Sequence, residues 1–198
     1  MSHDADEVKD RIRRIIRDRR SGLDKSVLDS CARDISQDLK DYITQDLGFD
    51  LSTIRLASYM PASGELSSLP LCHEILEQGG TVMMPQVNGK HLVFRKVSGF
   101  EAGYVKGHFG ISEPGDEYPS ADISSADVVI VPGIAYNDEG IRLGQGGGYY
   151  DRVWEYLGGD SPDRKTVLIG ICYDFQMVSS IPVNEKDMVV DVLFEVEA

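Results

Sequence analysis

No apolar run in this 198-residue chain approaches the ~18 residues that a membrane span needs, and the N-terminus is charged where a secretory signal would be apolar. A cytoplasmic protein with no membrane partner is expected. Cysteine is scarce. Cys31, Cys72 and Cys172 are odd in number and far apart, with no Cys-x-x-Cys and no histidine spacing suited to zinc, so reduced thiols follow. Positive charge is short as well, with 20 Lys and Arg against 33 Asp and Glu. The resulting net charge of -13 repels nucleic acid and acidic membranes alike, but does not exclude small anions held locally. His3, His73, His91 and His108 offer no catalytic constellation, and the chain has no internal repeat or low-complexity segment.

What is present begins with Arg142-Leu-Gly-Gln-Gly-Gly-Gly-Tyr-Tyr-Asp151-Arg152, shortly after the apolar run Val128 to Val131 and Pro132-Gly133. Gly144, Gly146, Gly147 and Gly148 put four glycines in five positions, so backbone N–H groups can close around phosphate oxygens with no Cβ in the way. Arg142 on one side can fork onto a phosphate, and Asp151 on the other can hold a hard divalent cation. A tight strand-to-helix connection with a solvated ion pair is the plainer alternative. The run is not a Walker A loop, which needs Lys-Ser/Thr after its last glycine. Nor is it a dinucleotide fingerprint, which would need glycine where Tyr149 stands. A second concentration lies at the N-terminus, where Lys9, Arg11, Arg13, Arg14, Arg17, Arg19 and Arg20 supply seven of the 20 basic residues.

Periodicity predicts a helix over about 6–20 with Val8, Ile12, Ile15 and Ile16 as its inward stripe and Lys9, Arg13, Arg17 and Arg20 on a neighbouring face. A second amphipathic helix, striped by Leu28, Cys31, Ile35, Leu39 and Tyr42, ends near Gly48. Strands are expected over 54–59, over 81–84 stopped by Pro85, over 128–131 and 167–171, and within 189–196. Helices are expected over 68–78 and 149–157, and a primed hairpin turn at Asn88-Gly89. Residues 98–127 read as long surface loops. The fold class is α/β: a single domain with a mainly parallel sheet flanked by helices, residues 1–48 forming an N-terminal helical arm packed on the core. The Met60 to Glu65 loop, the glycine run and Tyr173-Asp-Phe-Gln176 each follow a strand, and a common cleft at the strands' carboxyl ends would unite them.

Taken in order, Tyr59-Met-Pro-Ala-Ser-Gly-Glu65, Phe109-Gly-Ile-Ser-Glu-Pro114, Val131-Pro-Gly-Ile-Ala-Tyr136, Arg142 to Arg152 and Ile181-Pro-Val-Asn-Glu-Lys-Asp187 resemble the 5-formyltetrahydrofolate cyclo-ligase (methenyltetrahydrofolate synthetase) family. The spacing of Lys9 and Arg13 adds to the resemblance, which covers nearly the whole chain. It implies closure of 5-formyltetrahydrofolate to 5,10-methenyltetrahydrofolate with ATP as co-substrate and Mg2+ as cofactor. The formyl oxygen is phosphorylated and the resulting iminium phosphate is attacked by N10. A non-catalytic folate or nucleotide binder of the same fold is the competing reading. A phosphate-transferring enzyme acting on another small amide is a third.

By match to the family's motifs, Lys9, Arg13, Arg142, Gly144, Gly146, Gly147, Gly148 and Tyr150 would bind the nucleotide. Met60, Glu65, Gln145, Gly146, Gly147, Gly148 and Tyr149 would border the folate, with Glu65 suited to the donor-rich amino-pyrimidine edge of the pterin. Asp151 and Asp187 correspond to the magnesium positions. The residues alone also allow Asp151 as a helix cap, Asp187 as a turn residue and the two tyrosines as packing groups. Where some family members carry basic residues within the loop, this chain has Gln145 and Gly147. A monomer with no nucleic-acid partner is expected.

Overall fold

A computed structural model describes residues 2–62, 64–107, 110–182 and 187–198. Ser63, Phe109 and residues 183–186, which belong to three of the quoted motifs, lie outside the described residues, as does His108. In chain order the elements are α1 (Ser2–Ser21), α2 (Lys25–Asp41), β1 (Arg55–Ala57), α3 (Leu69–Gln78), β2 (Thr81–Asn88), β3 (His91–Val97), β4 (Tyr104–Lys106), β5 (Ser112–Pro114), β6 (Ser120–Ala121), β7 (Val128–Val131), β8 (Ala135–Tyr136), β9 (Arg142–Leu143), α4 (Tyr149–Tyr156), β10 (Val167–Tyr173) and β11 (Val192–Val196).

The main sheet has the order β11-β10-β7-β1-β2-β3-β6. Its first five strands run parallel, and β3 pairs antiparallel with both β2 and β6, which matches the mainly parallel sheet read from the sequence. Alternation sorts the strand side chains onto two faces. Leu56, Val128, Ile130, Ile169 and Ile171 pack under α2 and α3 with Ile35, Leu39, Leu71 and Ile75. Ala57, Val129, Val131, Leu168 and Cys172 pack on the other face with Tyr150, Val153 and Trp154 of α4.

Three expectations are corrected. β2 does not stop at Pro85 but runs on to Asn88, paired with β3 throughout. Thr81 N–H donates toward β1, and period two turns the nitrogens of residues 83 and 85 the same way. β1 has ended at Ala57, so Pro85 has no ladder bond to lose there. The two-residue turn of the β2–β3 hairpin is Gly89-Lys90, flanked by the Asn88 and His91 pair, with Gly89 at φ +60°. Residues 98–127 are not all loop. They hold the β4–β5 hairpin and the edge strand β6, each too short for its alternation to be seen against so much Gly, Ser and Pro.

The inward stripe of α1 is also different. Ile16 is buried and Ile12 half-buried, but Val8 and Ile15 are exposed. The docked face is instead Lys9, Ile12, Arg13, Ile16 and Arg20, which packs on Ile134, Ala135 and Leu143. The cations on this face find carbonyl and carboxylate acceptors in the body of the protein, which compensates for their burial.

All three cysteines are buried. Burial pushes the thiols of Cys72 and Cys172 up to about 12 and raises that of Cys31. Thiolate is the reactive form, so at pH 8 the native protein is expected to react with an aromatic disulfide reagent over hours, and the denatured chain to release three equivalents at once. Rapid labelling of the native fold would contradict this burial.

Candidate active site

The glycine run leaves β9 and turns into α4. Gly148 is the residue before α4 and adopts φ +64°, and Gly146 adopts φ +102°. Both values lie in the left-handed region that costs an L-residue roughly 1–2 kcal/mol, so glycine is required for the geometry and not only for openness. Between β7 and this run lies the small β8–β9 hairpin.

The cationic face of α1 lies along the glycine run. Arg13 Nε donates to Gly144 O at 2.9 Å, and Arg13 Nη1 to Asp10 Oδ1 at 2.7 Å. Arg17 Nη2 donates to Gln145 Oε1 at 2.7 Å. One helical turn before Arg13, Lys9 Nζ meets Asp187 Oδ2 at 2.9 Å. A predicted phosphate ligand and a predicted metal ligand therefore face each other. At the other end, Arg20 Nη1 donates to Glu65 Oε1 at 3.2 Å and its Nη2 to Gly133 O.

Arg142 is buried rather than extended into solvent. Its Nη1 donates to Pro132 O at 2.9 Å and its Nη2 to Asp151 Oδ1 at 2.7 Å, and the guanidinium lies 5.7 Å from the centre of the Tyr150 ring. It ties the end of β7 to the first turn of α4. Asp151 Oδ1 also accepts from Met188 N at 3.4 Å, which brings the backbone beside Asp187 to the glycine run. No side chain caps α4, so the helix-cap alternative for Asp151 is not what its carboxylate does.

Beside these groups is a cleft of about 560 Å³. Met60, Pro85, Val87, Leu92, Tyr149 and Tyr150 give it apolar walls, while Glu65, Gln145 and the backbone of Gly144, Gly147 and Gly148 supply polar ones. Such a mixture of apolar wall and few directed polar groups suits a flat heterocycle. Tyr149 is half-exposed, donates to Gly89 O at 3.3 Å and is stacked by Arg152 at 5.2 Å. Tyr150 is buried, and its hydroxyl makes no hydrogen bond among the described residues. Burial raises its pKa above the ordinary phenol value, with Arg142 offsetting only part, so it stays a neutral donor.

The site thus unites Met60, Glu65, Arg142 and the glycine run, of whose four glycines Gly146, expected at both ligands, does not line the cleft. Lys9, Arg13, Asp151 and Asp187 gather along its α1 side. The Tyr173 to Gln176 segment, expected in the cleft, supports it instead: Gln176 Nε2 donates to the carbonyls of Gly133 at 3.1 Å and Ile134 at 2.8 Å. Sequence reasoning gave no role to Glu113, a buried wall residue whose Oε2 accepts from Val87 N at 3.0 Å. Its one signal was its place in the Phe109 to Pro114 motif. Arg17 and Arg20 were placed on the cationic face but given no partner. Their helical spacings, four residues from Arg13 to Arg17 and three on to Arg20, point to both.

A metal-binding cluster of three or more His, Cys, Asp or Glu side chains is absent among the described residues. The two carboxylates of Asp151 and Asp187, on abutting segments, nevertheless fit Mg2+, which usually takes one or two protein carboxylates and completes its shell with water and phosphate.

Comparison with known proteins adds independent findings. The profile of the 5-formyltetrahydrofolate cyclo-ligase family matches residues 5–195. A 5-formyltetrahydrofolate cyclo-ligase from Escherichia coli K12 is 31% identical over 140 residues, 67% of this chain and 72% of that one. One from Saccharomyces cerevisiae is 26% identical over 203 residues, 93% of each. The NMR structure of Aquifex aeolicus 5,10-methenyltetrahydrofolate synthetase superposes with a TM-score of 0.76 at 29% identity, covering 95% of this chain and 89% of that one.

Proposed function

Since the chain belongs to the 5-formyltetrahydrofolate cyclo-ligase family and has that enzyme activity, we propose that it closes the ring by phosphorylating the formyl oxygen with ATP, aided by Mg2+. An N-formyl group is an amide, whose carbon is a poor electrophile and whose oxygen is a poor leaving group. Attack of the formyl oxygen on the γ-phosphorus breaks the bond to ADP and leaves an iminium phosphate. N10 then bonds to the formyl carbon and loses its proton, and cleavage of the C–O bond expels inorganic phosphate, leaving the methenyl bridge.

The single observation that carries this reading is the juxtaposition of one cationic helix face with the wall of one apolar cleft. Lys9 and Arg13 on α1, with the N–H groups of the glycine run, would bind the triphosphate. Met60, Glu65, Gln145 and Tyr149 would hold the folate, and the unpartnered Tyr150 hydroxyl is a ready donor between the two. Asp151 and Asp187 would hold Mg2+, which offsets phosphate charge when bound. Alignment and charge compensation are the main requirements of phosphoryl transfer. Arg142, fixed by two acceptors, supplies a positive charge that need not reorganise during the reaction.

The route is tested by oxygen-18 in the formyl group. Label recovered in the inorganic phosphate is expected. Label recovered in water, with unlabelled phosphate, would exclude phosphorylation of the formyl oxygen.

A further inference from the structure

Glu65 and Gly133 stand on different segments of the cleft wall, one in the loop after β1 and the other after β7. Both are held from behind by one side chain. Arg20, 6% exposed, directs Nη1 at Glu65 Oε1 and Nη2 at Gly133 O, and does not itself line the cleft. The remaining bonds of Glu65 reinforce this orientation: Oε2 accepts from Ala62 N at 2.9 Å, and Oε1 also accepts from Gln145 Nε2 at 3.2 Å. Gln145 in turn accepts from Arg17. Two arginines of α1 thus close a ring through one residue of the glycine run and one of the folate-side loop. A neutral amide is required at 145 for this ring, because it must accept from a guanidinium and donate to a carboxylate at once.

The backbone shows the same close fit. Gly64 has φ +74°, and a Cβ there would lie 2.7 Å from Arg20 O, so the loop carrying Glu65 rests directly on the end of α1. An arginine buried against a carboxylate and a carbonyl is costly unless both bonds are made, so its position and that of Glu65 are fixed together.

We propose that Arg20 is the positioning residue for Glu65, so that folate binding depends on the docked C-terminal end of the same helix that carries Lys9 and Arg13 toward the nucleotide. This inference rests on the assignment of Glu65 to the folate.

The test compares Arg20→Met, Arg20→Lys and Glu65→Gln, singly and combined. Arg20→Met is expected to raise the KM for 5-formyltetrahydrofolate roughly 10- to 100-fold, as for loss of a charge-assisted bond, while the KM for ATP moves less than about threefold. Arg20→Lys should recover part of the loss. In a Glu65→Gln background, Arg20→Met should add less than about threefold, because the two act as one unit. Equal rises in both KM values, a multiplicative double variant or an unchanged folate KM would each overturn the inference. Hydrogen exchange at the Ala62 amide provides a reading without substrate: Arg20→Met, or Arg20→Lys if the former does not fold, should accelerate it about tenfold or more relative to the sheet amides. Unchanged Ala62 exchange would refute the positioning role even if wild type failed to turn over the folate, a failure that would count against the function alone.

Discussion

Arg142→Ala is expected to lower kcat/KM by about two to three orders of magnitude and the melting temperature by roughly 10 °C. The side chain is 4% exposed and bonds to Pro132 O and Asp151 Oδ1. Its removal strands a partly buried carboxylate, a loss of about 3 kcal/mol for a pair of this burial. It also uncouples the end of β7 from the first turn of α4, between which the glycine run is strung. Arg142→Lys keeps the charge but cannot span both acceptors, and should fall between the two. Thermal melts with steady-state kinetics would check both effects. A variant with full stability and a thousandfold activity loss would mean that Arg142 contacts the nucleotide without organising the site.

The Lys9→Ala/Arg13→Ala double variant should show the opposite balance. Each side chain keeps about 15% of its exposure and makes one bond to a carboxylate, and Arg13 adds one to the Gly144 carbonyl, so loss of both should cost roughly 2 kcal/mol in stability. If the α1 face binds the triphosphate, the KM for ATP should rise about 100-fold or more while the KM for folate moves little. A parallel rise in both constants, with a large fall in melting temperature, would mean that the two cations serve only to dock the helix.

These two contrasts show where the sequence was informative. The glycine run, its flanking Arg142 and Asp151, and the three- and four-residue spacings of Lys9, Arg13, Arg17 and Arg20 are legible because each is local and follows directly from backbone geometry. Which face of α1 turns inward is not. Amphipathic reasoning favours the apolar stripe, yet Val8 and Ile15 point to solvent and Arg20 is buried, because the acceptors that make its burial tolerable come from Glu65 and Gly133, distant in sequence. The β8–β9 hairpin was lost for another reason: each strand is two residues long, too short for any period to register. The support of the cleft by Gln176 depends on carbonyls that any residue could supply, and no side-chain pattern announces it.

If one cleft couples nucleotide consumption to closure of the folate ring, the two products must appear together. The most direct measurement is simultaneous quantification of ADP and 5,10-methenyltetrahydrofolate after mixing the protein with 5-formyltetrahydrofolate and ATP, with and without magnesium. Equal yields of the two products are expected, both requiring magnesium and each absent when the other substrate is withheld. Ring closure without ADP, or ADP release indifferent to the folate, would contradict it.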